Sequence, residues 1–242
     1  MIVLCTDYGL AGPYVGQVKA VLARAAPAVP VVDLFADLPP FQPKLAAYLL
    51  AAYAEAFMAG DVILAVVDPG VGSARAALAI EADQRWYVGP DNGLFEIVLR
   101  RARAAQCWRI DWRPAAISAT FHGRDLFAPV AAGLAQGEPP PGTPTEPGRH
   151  PEWPDDLAEI VYVDHFGNAM TGLRAAVLPD GTELELAGVR IARARTFADA
   201  PVGGLLWYAN ANGLAEVAAH GASAAARLGA APGSALAVYV PG

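Results

Sequence analysis

The sequence predicts an α/β fold, with an N-terminal, mostly parallel sheet covered by helices and a smaller C-terminal all-β barrel domain. Three observations predict it. Strand-like runs followed by helical ones recur three times across the opening third of the chain, which favours parallel strands joined by crossover helices. The third run, residues 61–67, is apolar almost throughout, as expected of a strand covered on both faces. Beyond a proline-rich stretch the pattern changes to short alternating runs separated by turn residues.

In order, residues 2–6 read as a strand, followed by the turn 7–13 and a helix over 14–25 with Val15, Val18 and Leu22 on one face. Residues 29–35 form a second strand. A helix over 43–58 follows, with Pro43 at its first position, where the missing N–H costs nothing. The third strand runs into Val66-Val67-Asp68-Pro69-Gly70-Val71-Gly72-Ser73-Ala74-Arg75. Residues 77–82 and 85–88 read as a hairpin around Asp83-Gln84. A helix over 94–103, a strand over 107–111 and a helix over 126–136 complete the domain, with Asp125 as the N-cap of the last helix.

Residues 137–156 hold seven prolines and almost no aliphatic side chains. The predicted organisation is therefore an α/β domain over 1–138, a linker over 139–156 and a β-barrel domain over 157–242. Strands are expected at 159–163, 182–186, 189–194, 205–209, 214–218 and 235–240, with one short helix at 222–228.

Composition narrows the function. A hydrophobic content of 55% with 17% charged residues excludes general disorder. A net charge of −7 and the lack of any basic cluster larger than Arg100, Arg101 and Arg103 argue against nucleic acid as a partner. No apolar run has the length of a membrane span, and the N-terminus carries no basic leader, so a soluble cytoplasmic protein is expected. Cys5 and Cys107 have no metal-ligand spacing and are expected as buried free thiols.

Several constellations could carry chemistry. The glycines after the third strand suggest a phosphate loop, but no G-x-x-x-x-G-K-[ST] or G-x-G-x-x-G is present. Asp68, Arg75 and His122 sit in strand-end loops, where an aspartate held ionised by arginine and an imidazole could together handle one water molecule. The plainer alternatives are a capping Asp-Pro-Gly turn, a surface arginine and a loop histidine. Asp7, Asp91-Asn92 and the run from Asp164 to Asn168 suit ribose hydroxyls and an adenine edge, with Phe166 or Phe41 stacking on the ring. The run 164–168 equally fits a hairpin turn. A divalent-metal site from Asp7, Asp68, His122 and Asp125 is a further alternative, although tight ligand spacing is lacking.

Thr6-Asp7-Tyr8-Gly9, Tyr14-Val15-Gly16, Val66 to Gly72 with Arg75, Pro90 to Leu94, Thr120 to Phe127 and Asp164 to Asn168, in this order, resemble the S-adenosylmethionine hydrolase (SAM hydroxide adenosyltransferase) family, relatives of the fluorinating and chlorinating enzymes. The resemblance implies an N-terminal α/β domain, a C-terminal β-barrel and a homotrimer with sites between subunits. It implies hydrolysis of S-adenosylmethionine to adenosine and L-methionine with no cofactor and no metal, the water being activated by Asp68, Arg75 and His122. It places Asp7 on the ribose, Phe41 beside the adenosyl group, Phe166 and Asn168 on adenine, and Asp164 on the methionine ammonium. The halogenating relatives use a serine where this chain has Gly123, which favours hydrolysis. Two positions depart from the family pattern, Gly12 for an aspartate and Asn210-Ala211-Asn212-Gly213 for Asn-Ser-x-Gly, both on the amino-acid side of the substrate. The alternatives to hydrolysis are a non-catalytic adenosine or S-adenosylmethionine binding protein and a metal-dependent hydrolase.

Overall fold

A computed structural model describes residues 1–241 and divides into two compact units, Met1–His150 and Pro151–Gly242. The first contains strands β1 (Ile2–Thr6), β2 (Val31–Phe35), β3 (Val62–Val66), β4 (Ala77–Ala82), β5 (Arg85–Pro90), β6 (Ala105–Ile110) and β7 (Gly142–Pro144). They form one sheet in the order β2-β1-β3-β5-β4-β6-β7. The pairs β1–β2, β1–β3 and β3–β5 are parallel, while β4 runs antiparallel to both β5 and β6. Strand β7 lies in the proline-rich stretch and adds to the sheet edge, with Trp108, Arg109 and Ile110 opposite Pro144, Thr143 and Gly142.

Helices α1 (Tyr14–Ala25), α2 (Pro43–Tyr53), α3 (Glu96–Arg101) and α4 (Ala128–Ala135) accompany the sheet. Every residue of β1 and β3 is buried, which is why both read as unbroken apolar runs. Val18 and Leu22 of α1 pack with Leu4, Leu64, Val66, Phe127 and Val130 in one core. Fully burying each large aliphatic side chain stabilises the fold by about 1.5–3 kcal/mol. Helix α2 is buried from Leu45 to Ala52 and ends at Tyr53, five residues short of the predicted end; a 3₁₀ turn, Ala54–Ala56, follows. Asp83 and Gln84, at φ 47° and 66°, supply the two positive-φ residues of the β4–β5 turn. The Asp83 carboxylate accepts the N–H groups of Arg103 and Ala104, which ties that turn to the start of β6.

Glu96 of α3 is buried and pairs with Arg100 at 2.8 Å and Arg149 at 2.9 Å. Burial pushes its carboxyl up, but the Arg149 and Arg100 hydrogen bonds and the His150 N–H outweigh this and hold it at about 2. The pair fastens residues 149–150 to the α/β unit. Cys5 is buried and Cys107 half-buried, and both are free thiols.

The second unit holds β8 (Leu157–Val163), β9 (Ala169–Arg174), β10 (Glu183–Leu186), β11 (Val189–Ala192), β12 (Leu205–Ala209), β13 (Leu214–Ala219) and β14 (Leu236–Tyr239), with helix α5 (Ala224–Leu228). Its strands form two antiparallel sheets, β12-β13-β9-β8 and β11-β10-β14, around a core that includes Trp207, Leu184 and Val217. Among the described residues they do not close into the expected barrel: isolated bridges, Glu159 to Ala235 and Arg193 to Trp207, are the links between the sheets. Alternation reveals half-buried strands but carries no information about whether sheet edges join. No helix is long and apolar enough to cross a membrane among the described residues.

Candidate active site

Asp7 and Asp68 follow β1 and β3, two adjacent parallel strands, and so lie at their carboxyl ends, where open α/β sheets bind ligands. The Asn92 amide donates to the Val67 carbonyl at 2.9 Å and fixes the backbone just before Asp68. Gly72, at φ 81°, lets the loop after β3 meet the segment before His122: a Cβ there would lie 2.7 Å from the Ala119 carbonyl oxygen. Close approach of backbone is therefore the use of this glycine-rich turn.

Arg75 donates to Asp68 through Nε at 2.9 Å and through Nη2 in a short second bond, a two-pronged pair. Its Nη1 reaches the Ala76 carbonyl at 3.0 Å, and its guanidinium lies 5.2 Å from the centre of the Phe127 ring. The side chains of Asp68 and Arg75 are 5% and 10% exposed, so Arg75 is not a surface charge and Asp68 does not simply cap a turn. Arg75 Nη2 also lies 3.3 Å from His122 Nδ1. A guanidinium has only donors, so Nδ1 accepts and neutral His122 carries its proton on Nε2. Burial lowers the His122 pKa from its ordinary value, and the Arg75 charge lowers it further.

The same edge holds the two expected adenosyl contacts of this unit. The Asp7 carboxylate accepts the Phe41 N–H at 3.3 Å, and its pKa is raised by burial, with the Asp68 charge adding to the rise. Phe41 has φ 61° and is 75% exposed, free to lie against a ligand. Asp125 is not a helix N-cap. It lies within a π-turn, Gly123–Phe127, that precedes α4, where it pairs with Arg124 and accepts the Ser118 N–H at 2.8 Å. With Asp68 committed to Arg75 and Asp125 to Arg124, the four-residue metal alternative does not assemble; among the described residues no three His, Cys, Asp or Glu side chains cluster as a metal site needs. Gly12 is exposed, and a Cβ there would sit 3.2 Å from the Tyr14 ring.

In the second unit, Asp164 to Asn168 form the β8–β9 turn, closed by Asp164 N–H to Asn168 O and Gly167 N–H to Asp164 O, each 3.0 Å. Asp164 Oδ1 accepts the N–H groups of Phe166 and Asn168, and Oδ2 accepts the Asn168 amide at 2.9 Å. Because an ionised carboxylate only accepts, this bond fixes the amide orientation and leaves Asn168 Oδ1 as the uncommitted atom. The hairpin reading and the binding reading of this run are thus compatible: the turn is internally satisfied and leaves Phe166 75% exposed.

Asp164, Phe166 and Asn168 line a cavity of about 500 Å³ with Phe197, Tyr208 and Glu216. His220 also lines it; its Nδ1 lies 2.8 Å from the Ala200 carbonyl, so Nδ1 carries the proton in the neutral ring. Sequence reasoning missed these four. The signal was faint, a glutamate within the apolar run of β13. Glu216 is buried and accepts from Tyr208 Oη and from Asn210 Nδ2, the latter at 2.9 Å. Asn210 Oδ1 accepts the N–H groups of Asn212 and Leu214, so this asparagine shapes the β12–β13 turn.

Fold and site together define an α/β protein with an appended β unit, bearing a carboxylate–guanidinium–imidazole chain where its parallel strands end. Residues 2–143 match the SAM hydroxide adenosyltransferase N-terminal domain and residues 158–237 the C-terminal domain. The chain belongs to the SAM hydroxide adenosyltransferase family. It is 43% identical to the (R)-S-adenosyl-L-methionine hydrolase of Salinispora arenicola over 96% of this chain and 95% of that protein. Identity is also 43% to the enzyme of the same name from Thermus thermophilus, over 93% of each chain. The crystal structure of an uncharacterized conserved protein from Thermotoga maritima superposes with a TM-score of 0.89 at 29% identity, covering 98% of this chain and 99% of that one.

Proposed function

We propose that this chain hydrolyses S-adenosyl-L-methionine to adenosine and L-methionine. The observation that carries the reading is the part-buried chain Asp68–Arg75–His122 at the strand edge. Water attacks the 5′ carbon of the adenosyl group, a C–O bond forms, and the C–S bond breaks with its electron pair leaving on the methionine sulfur. The water proton passes to the Asp68 carboxylate, while His122 offers its Nε2–H as a donor that orients the water. Proton uptake at His122 Nδ1 is blocked while Arg75 donates to it. Holding the nucleophile in line with the sulfonium and excluding bulk water supply the rest of the acceleration.

Asp7 holds the ribose hydroxyls and Phe41 flanks the adenosyl group; Asn168 Oδ1 accepts from the adenine amino group, and Phe166 stacks on the ring. Asp164 keeps limited acceptor capacity beyond its own turn and meets the methionine ammonium. The reaction needs no cofactor, the protein works in the cytoplasm, and a homotrimer supplies the two residue sets from neighbouring copies.

Incubation of the purified protein with S-adenosyl-L-methionine is expected to release adenosine and methionine, followed by chromatography. Release no greater than that of His122→Ala overturns the reading. The pH dependence has a defined sign. His122 must be neutral to accept from Arg75, so kcat/KM falls as pH drops through the His122 pKa, and that limb lies below the ordinary histidine value of about 6.5. An acid limb above that value, in a pH–rate profile, contradicts the arrangement.

A further inference from the structure

We infer that the Tyr8 hydroxyl is a further member of the reaction centre, a hydrogen-bond partner that orients the attacking water, and that position 123 is glycine to make room for it. The inference rests on the hydrolytic reading above. Tyr8 belongs to the turn after β1, immediately beyond Asp7. A Cβ built on Gly123 would fall 1.8 Å from Tyr8 Oη and 3.0 Å from its Cζ, so the phenol occupies the space of any side chain at 123. Gly123 is buried and directly follows His122, which brings the hydroxyl beside the loop that carries the imidazole.

The ring has little freedom to move elsewhere. Its centroid lies 5.6 Å from that of Phe121, edge-on, and 6.1 Å from that of Tyr14; those two rings pack against each other at 5.4 Å. The aromatic trio thus aims the hydroxyl from behind. Among the described residues, Tyr8 Oη makes no hydrogen bond, and the residue is only half-buried, so its hydroxyl is free to bond a water. Burial holds its pKa well above the usual tyrosine value, and the charges of Asp7 and Asp68 act in the same direction, against Arg75. The group therefore stays a neutral O–H within reach of the charges that surround the water.

A hydroxyl can donate and accept at once, which suits a water that must give one hydrogen to Asp68 and keep the other fixed. His122 Nε2–H offers that water only a donor and so takes one of its two lone pairs. Tyr8 Oη supplies the second acceptor, and the lone pair that attacks carbon is then defined by elimination. This is a positioning task, so its loss lowers kcat without loosening the substrate.

The test compares Tyr8→Phe with wild type in kcat, KM and Tm, with Gly123→Ala and the double variant alongside. Tyr8→Phe is expected to lower kcat about ten-fold, the value of one well-placed hydrogen bond, with KM and Tm little changed. Gly123→Ala displaces the hydroxyl and should lower kcat at least as much. In the Tyr8→Phe background the same alanine should cost less, because the 1.8 Å clash is gone. Unchanged kcat in Tyr8→Phe while wild type turns over overturns this inference alone, as does a fall in Tm with kcat intact, which marks a packing role. If wild-type protein releases no adenosine above the His122→Ala control, the hydrolytic reading falls and the inference falls with it.

Discussion

Asp68→Asn is expected to slow turnover by about 10²- to 10⁴-fold, the range associated with loss of a positioned proton acceptor. Adenosine affinity should stay within the same order of magnitude. The separation follows from geometry: the Asp68 carboxylate is bonded to Arg75 through both oxygens, whereas Phe41 and Asp7 form a different contact at the neighbouring strand end. An amide in this place offers one acceptor instead of two and turns an N–H toward a guanidinium that has only donors. Arg75 would keep the Ala76 carbonyl, the His122 ring and the Phe127 face, so the fold should lose about 1–3 kcal/mol, the cost of a compromised buried hydrogen bond. Single-turnover rates together with calorimetric adenosine titration check this. Equal losses of rate and affinity would remove Asp68 from the water and place it on the nucleoside.

Arg75→Lys would not be a conservative control for the same site. A lysine could follow Asp68 or His122 but not span both, and it cannot form the two-pronged pair. The imidazole tautomer depends on that span, since His122 Nδ1 is held as an acceptor by the guanidinium. The role of the arginine is thus to couple two groups that lie 54 positions apart in the chain, Asp68 and His122, into one unit.

Much of this was legible in the sequence because it depends on local pattern. The unbroken apolar runs of β1 and β3 mark strands buried on both faces, and polar loops after such strands mark the ligand edge. Asp68 and Arg75 share one turn, so their pairing needs little long-range information. Other features depend on what packs above a residue. Residues 169–174, the strand β9, escaped prediction: the strand lies between β13 and β8, is buried on both faces, and contains Gly172, whose absent Cβ makes way for Leu157 at 2.6 Å. It therefore shows neither alternation nor a β-branched run. The clash between position 123 and Tyr8 is of the same kind, joining residues 115 positions apart. The tautomers of His122 and His220 are set by partners 47 and 20 residues away, which no local window contains. Asp125 shows the opposite failure. Its residue type suits an N-cap, but the π-turn moves the start of α4 two residues on, from 126 to Ala128.

Gly167→Ala should have the largest effect in the second unit, on stability and on nucleoside affinity together. Gly167 has φ 80°, so alanine there carries the penalty of a left-handed conformation, about 1 kcal/mol. The larger cost is steric. The new Cβ would lie 1.9 Å from Ser223 Oγ, 2.5 Å from its Cβ and 3.0 Å from its Cα. Ser223 cannot simply swing away, because its hydroxyl accepts the Ala226 N–H at 3.0 Å as the N-cap of α5. The Gly167 carbonyl in turn accepts the Ala225 N–H at 2.9 Å, so the β8–β9 turn and the start of α5 are one docked piece. Relieving the clash means breaking the cap, worth about 1 kcal/mol, or lifting the turn, which moves Phe166 and Asn168. The expected result is a drop in Tm together with at least a ten-fold loss of adenosine affinity, equivalent to about 1.4 kcal/mol. Introducing Ser223→Gly into the Gly167→Ala protein removes the two side-chain atoms that lie closest and leaves only the 3.0 Å approach to the backbone, so part of the affinity should return. If affinity is unchanged while Tm falls, the turn does not position the nucleoside; if Ser223→Gly restores nothing, the docking of turn on helix is not what holds Phe166 and Asn168 in place.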